Sequence, residues 1–210
     1  MTMPQVTPGK KPFAVPVPAL AEAIAAEWQG KKTFNAGAMP LTALAYTAID
    51  RVKGETDAIV EVLLAYVDTD TLCYRASTAK TLQDRQREKW DPLLAWAGSK
   101  CNALWQTTTG VMPISQPAAL HEALREYLKG LPSMRLTACM VLASLYSSLV
   151  LAMAVIEKRV DAETAFALSR LEETFQAESW GKDEAVERRQ ENILNEIKDI
   201  ARFLRLLGSA

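Results

Sequence analysis

A mainly α fold, an antiparallel helical bundle behind a short N-terminal extended segment, is what this sequence predicts. Three observations carry that expectation. From Leu20 onward, apolar residues recur at three- and four-residue steps in one segment after another, the period of one helix face. Only a few residues separate most of these segments, and prolines and glycines stand at their ends, as antiparallel neighbours require. Residues 136–156, "LTACMVLASLYSSLVLAMAVI", hold no charged side chain, so a helix there has to be surrounded on all sides.

The elements follow in order. Five prolines between residues 3 and 18 break helices and confine strands to edges, so "PFAVPVP" predicts extended chain or a lone edge strand. "ALAEAIAAEWQ" places Leu20, Ile24 and Trp28 at four-residue steps, an amphipathic helix. "MPLTALAYTAIDRV" opens on Pro40, suited to a first helical position, and repeats Leu41, Leu44, Ala48 and Val52. "TDAIVEVLLAYV" is a third helix, with Thr56 or Asp57 expected as its cap. "DTDTLCYRA" predicts a turn running into a short extended piece. "TLQDRQREK" predicts a polar helix, and Asp91-Pro92 a cap and first-turn proline that start another, "PLLAWAGSKC". "ALWQTTTGV" has the Trp and Thr content of a strand. Four more helices complete the chain: "PAALHEALREYLKG" ended by Gly130, the apolar one from Pro132, one from Asp161 to a stop at Gly181, and "DEAVERRQENILNEIKDIARFLRLL".

The uncharged stretch is long enough to span a bilayer, so a membrane reading must be argued against. Thr137, Ser144, Tyr146, Ser147 and Ser148 interrupt it, and short loops tie it to amphipathic helices that must bury their own stripes. A soluble bundle core is the expectation. The chain's 210 residues are 49% hydrophobic and 23% charged, the balance of a soluble globular protein. With 24 basic and 25 acidic side chains there is no field to hold a nucleic acid. Cys73, Cys101 and Cys139 are odd in number and unpaired in spacing, which points to free thiols rather than a disulfide framework or zinc site. The opening "MTMPQVTPGKKPF" has neither an apolar signal core nor an Arg-rich presequence pattern.

Signatures of common chemistries are absent: no G-x-G-x-x-G, no Walker loop, no G-x-S-x-G elbow. His121 is the only histidine and lacks a second to complete a metal triad, so an exposed or capping role is expected. Asp68 and Asp70 offer paired hard oxygens to magnesium, and a magnesium-dependent enzyme is the alternative function; turn and capping roles fit such a pair better. Tyr74 and Arg75 beside them make a polar and aromatic cluster.

The 161–181 segment is more informative. Laid on one continuous helix, Leu168, Leu171 and Phe175 form a stripe, while Phe166, Glu173 and Trp180 recur at seven-residue steps on another, with Ser169 and Gln176 between. A second face with large aromatics around a carboxylate suggests burial between layers or a partner surface. Glu172 falls among the first stripe, where it is either paired internally or reaches water at the edge.

"SRLEETFQAESWG", "YVDTDTLCYRA", "RQREKWDPLLAW", "MPLTALAYTAIDRV" and "PALAEAIAAEWQ" together resemble, in matching order over nearly the whole chain, the F-type ATP synthase assembly chaperones that hold the catalytic head's α subunit. The resemblance implies a non-enzymatic protein without cofactor, a monomer that inserts in no membrane. Its implied partner is free α subunit, whose β-facing surface it shields from aggregation before the hexamer forms. Family members occur in mitochondria and alphaproteobacteria; the missing presequence favours the bacterial cytoplasm, with the mitochondrial matrix the place if the source is eukaryotic. The family's strand-rich upstream segment is expected to be truncated here, leaving residues 1–18 as an extended remnant before a helical domain over 19–210. Thr71 stands where leucine is more usual. An important family glutamate falls on Glu172 or Glu173, with Glu173 expected in contact and Glu172 in internal pairing. The implied partner surface comprises these two with Gln176, Trp180, Phe166, Asp70, Tyr74, Arg75 and Trp90.

Overall fold

A computed structural model describes residues 5–181 and 183–208, with the side chains of Ser179 and Trp180 outside the described set. Ten α-helices are present among the described residues: α1 (Pro18–Glu27), α2 (Pro40–Thr47), α3 (Thr56–Leu64), α4 (Lys80–Cys101), α5 (Ala118–Lys129), α6 (Ser133–Tyr146), α7 (Leu149–Ile156), α8 (Ala162–Ser169), α9 (Leu171–Trp180) and α10 (Glu184–Leu207). Two short parallel strands, β1 (Tyr74–Arg75) and β2 (Thr108–Thr109), pair Tyr74 with Thr108 and Arg75 with Thr109. The mainly α expectation stands, and both extended pieces lie inside their expected segments.

The uncharged stretch is the centre of the bundle, but as two helices rather than one. Ser147 adopts the left-handed conformation at φ 52°, and Ser148 then caps α7 by accepting a hydrogen bond from Leu151 N at 3.0 Å. Every residue of α7 is buried, and α6 buries Leu136, Ala138, Cys139, Leu142 and Tyr146 completely. Against α6 pack α2, α3 and α10; against α7 pack α4 and α8. No helix of the described residues is long and apolar enough to cross a membrane.

Two further corrections follow from backbone hydrogen bonding. Pro92 does not start a helix: it lies inside the continuous α4. It sits exposed on the outer side, while Leu82, Gln86, Trp90, Leu93 and Ala97 bury the inner one. The bond lost at Pro92 frees the carbonyl of exposed Glu88, which water can satisfy. The 161–181 segment, conversely, is broken at Arg170 (φ −109°, ψ 18°) into α8 and α9. Trp90 Nε1 donates to the Leu168 carbonyl at 3.1 Å, and Arg170 Nη2 donates to the Leu145 carbonyl at 3.1 Å, so tertiary donors and acceptors hold the break. The stripes drawn on a single wheel therefore do not carry across it. Asp161 and Gly181 do bound the segment, Asp161 accepting from Thr164 N at 2.7 Å. Neither Thr56 nor Asp57 caps α3: they are its first helical residues after Glu55, and Thr56 turns its hydroxyl back to Val52 O at 3.0 Å.

The N-terminal segment is strapped to the bundle where α2 runs into a π turn over Ala48–Val52. In that turn Lys53 N reaches back to Ala48 O at 3.0 Å, and Lys11 Nζ takes the carbonyls of Ile49 and Asp50 at 3.1 and 3.0 Å. Asp50 in return accepts from Thr7 Oγ1 and Gly9 N, and Phe13 packs on Tyr46 with ring centroids 4.7 Å apart. The lone strand expected here is an isolated antiparallel bridge between Val6 and Pro12.

Glu27 supplies the start of α2 with the acceptors its proline and methionine cannot. Its carboxylate accepts from Leu41 N and Thr42 N, both at 2.9 Å, and from Thr42 Oγ1 at 2.7 Å. Glu27→Ala is expected to cost about 1–2 kcal/mol in chemical denaturation, the size of a lost helix cap. An unchanged midpoint would show that water replaces the carboxylate freely.

Candidate partner-binding surface

The middle of α4 organises the region that the sequence singled out. Gln86 is fully buried, and its side chain joins two elements: Oε1 accepts from Ala76 N at 2.9 Å, just past β1, and Nε2 donates to Glu172 Oε1 on α9 at 2.6 Å. One turn on, Trp90 is 1% exposed and lies under the Arg75 guanidinium, 5.2 Å from its ring centroid. Arg75 Nη2 donates to Asp91 Oδ1 at 2.6 Å; burial pulls the guanidinium's pKa down while Asp91 pulls it back. Immediately before Gln86, Arg85 Nη1 grips both oxygens of Glu178 at 2.9 and 2.7 Å and stands 5.3 Å from the Phe175 ring. Arg75, Trp90 and Glu172, far apart in the chain, are thus brought to one helix.

Glu172 and Glu173 separate in role by geometry. Glu172 is half-buried and turned toward Gln86, whereas Glu173 has a side chain 48% exposed and, among the described residues, pairs with Arg170 at 3.2 Å. Glu173 lines a cleft of about 250 Å³ between α9 and the start of α10, together with Glu178, Asp183, Glu187 and the half-exposed Val186. Gln176 is exposed on the same helix. Tyr74 is half-buried and gives its hydroxyl to the Asp68 carbonyl at 2.7 Å.

Three expected surface residues lie inside. Phe166, at 8% exposure, is part of the core, because the break at Arg170 turns α8 inward independently of α9. Trp90 is core as well. Asp70 is fully buried and serves as an acceptor at the start of α7: Oδ1 takes Leu72 N at 3.0 Å and Ser148 Oγ at 2.8 Å, and Oδ2 takes Val150 N at 3.0 Å. Burial pushes its pKa up to about 6 against these hydrogen bonds. Thr71 adds N–H and hydroxyl bonds to the Ser147 carbonyl, 3.1 and 2.9 Å, so this turn is locked into the α6–α7 break. Trp180 falls outside the described side chains.

Asp68 does not join Asp70 in a cation site. Its Oδ1 accepts from Gln116 N at 2.7 Å and lies 3.2 Å from His121 Nε2, which makes His121 a half-buried loop anchor. No cluster of three or more potential metal ligands occurs among the described residues. The three cysteines are free; burial pushes Cys139 up to about 12 and raises Cys73 and Cys101 also, so none is poised as a nucleophile.

The same architecture recurs in a solved structure, Atp12 from Paracoccus denitrificans. The two share 43% identity over 98% of this chain and 88% of that one, with a TM-score of 0.90. The chain belongs to the ATP12 chaperone family. The family model, described as ATP12 chaperone protein, matches residues 3–98 of it. This ATP12-family chain is also similar to a solved protein of Agrobacterium tumefaciens, at 35% identity over 97% of this chain and 76% of that one, TM-score 0.88. A more distant relative is the mitochondrial protein atp12 of Schizosaccharomyces pombe, 28% identical over 87% of this chain and 67% of that protein.

Within this ATP12-family fold, the residues that the sequence did not reveal are Gln86, Arg85 and Glu178. Gln86 was within reach: Leu82, Gln86, Trp90, Leu93 and Ala97 follow one helical stripe, so a polar residue on it had to be buried and bonded. Arg85 and Glu178 gave no signal, because each lies on an exposed face and their pairing spans 93 residues.

Proposed function

We propose that this ATP12-family chain holds the free α subunit of the F-type ATP synthase catalytic head and keeps it from aggregating until the β subunit covers the same surface. Family membership is the observation that carries this reading. An α subunit without its neighbour exposes an apolar interface, and such surfaces aggregate. Binding that state lowers its free concentration by mass action, without nucleotide, metal or covalent chemistry. The place of action is the bacterial cytoplasm, or the mitochondrial matrix for a eukaryotic member.

The contact surface in this proposal centres on α9. Glu173 and Gln176 face outward there, and Trp180 closes the helix as a candidate aromatic anchor. Tyr74 and Arg75 supply a polar flank. Glu172, through Gln86, fixes the angle at which α9 stands on α4. Trp90, Phe166 and Asp70 act from beneath, as the packing that keeps this face in place.

Heating isolated α subunit with an equimolar amount of this chain should suppress the rise in light scattering; an unaltered rise overturns the proposal. Glu173→Lys should weaken binding to α by about tenfold while leaving the circular dichroism melt within about 1 °C, since the ion pair with Arg170 lost with it is an exposed one. Full protection by the variant would remove Glu173 from the contact.

A further inference from the structure

A second groove lies at the other end of α10 from Glu173. It measures about 590 Å³ and runs between the start of α6, the turn after α7 and the last turns of α10. Val160 and Leu204 give it an apolar floor, and Arg135, Lys158, Arg159 and Arg205 stand around it. Four cations in one groove are conspicuous on a chain whose net charge is −1.

Nearby acids do not neutralise Arg159 and Arg205. Asp161, the one carboxylate among the described residues that line the groove, accepts from Thr164 N and Thr164 Oγ1, both at 2.7 Å, as the cap of α8. Glu157 is drawn away to Lys100 Nζ at 3.3 Å and the Tyr127 hydroxyl at 3.0 Å. Arg135 spends one nitrogen on the Gly208 carbonyl at 2.6 Å. The side chains of Arg159 and Arg205 have no partner among the described residues. Favourable interaction with the α10 macrodipole accounts for Arg205, in its last turn, but not for Arg159 on a different element.

We infer that this groove is a second docking site on the chaperone, and that its occupant is an acidic segment of the client protein carrying an apolar side chain. Carboxylates of that segment pair with Arg159 and Arg205, and the apolar side chain covers Val160 and Leu204. Since α10 rises 1.5 Å per residue, the groove and the Glu173 cleft are about 25 Å apart. An acidic cleft at one end and a basic groove at the other fix the direction in which a client lies along α10. The inference rests on the holdase reading for the identity of the client.

The test is binding of isolated α subunit to the full chain and to the double variant Arg159→Glu, Arg205→Glu, measured by anisotropy at about 0.05 M and about 0.5 M salt. The wild-type chain should weaken with salt, and the double variant should bind about tenfold more weakly at low salt with most of that salt response gone. Equal affinity and equal salt response in the two would overturn the groove while leaving the holdase reading intact. No binding by the wild-type chain would overturn both. A variant that instead changes the chaperone's own self-association would make the occupant a second copy and overturn the client assignment. Should the double variant melt early, Arg159→Gln keeps the test: a loss of about threefold supports the site and no loss counts against it.

Discussion

Asp70→Ala is expected to destabilise the protein by about 3 kcal/mol at neutral pH, lowering Tm by roughly 6–12 °C. The carboxylate is fully buried, and its removal strands Leu72 N, Val150 N and the Ser148 hydroxyl, all at hydrogen-bonding distance from it. It is also the contact that ties the 68–73 turn to the N-terminus of α7, in the middle of the core. The effect has a pH signature. Burial raises the folded-state pKa from 3.8 to about 6, so the folded protein binds this proton more tightly than the unfolded chain. Stability owed to Asp70 is therefore full below about pH 4 and declines as pH rises through 6. The gap between the parent and Asp70→Ala should narrow over that window by an amount on the order of 3 kcal/mol, then stay level. Urea denaturation of both proteins from pH 4 to pH 7 measures it. A gap that widens with rising pH would mean that the hydrogen bonds, not burial, dominate the carboxylate.

Trp90→Ala should cost about 3–5 kcal/mol, the range for emptying a large aromatic site in a core. Trp90 is 1% exposed, packs under Arg75 and holds the Leu168 carbonyl at the end of α8. Its loss frees that carbonyl and removes the ring beneath the Arg75 guanidinium, so α9 loses its fixed start. Suppression of client aggregation should fall with stability in this variant, whereas Glu173→Lys loses it at unchanged stability. Trp90→Phe keeps most of the packing but not the indole N–H, and about 1–2 kcal/mol is expected for it. A denaturation midpoint for Trp90→Ala equal to the parent's would show that neither the packing nor the Leu168 bond matters.

These two residues also mark how far residues alone lead. Asp70 was legible as a turn residue, but whether its carboxylate met water, magnesium or a helix end depended on α7, eighty residues later. Trp90 and Phe166 were legible as large aromatics and read as partner anchors; both lie in the core. Aromatic content identifies what is energetically important without saying on which side of the surface it acts. Glu173 and Gln176, by contrast, do stand exposed on α9, although the helical wheel left that face open between burial and a partner and it was the family resemblance that put Glu173 in contact.

Helix number and order were almost fully determined by sequence, because apolar period, proline and glycine are local signals that act within a few residues. The uncharged stretch likewise carried its own destination in the core, since its neighbours had stripes to bury. What only the tertiary structure decided were the interruptions: the break at Ser147, the break at Arg170 and the passage of α4 through Pro92. Each depends on a hydrogen bond or a burial pattern contributed from elsewhere in the chain, and a donor such as the Trp90 indole, seventy-eight residues from its acceptor, leaves no mark on the local sequence it reshapes.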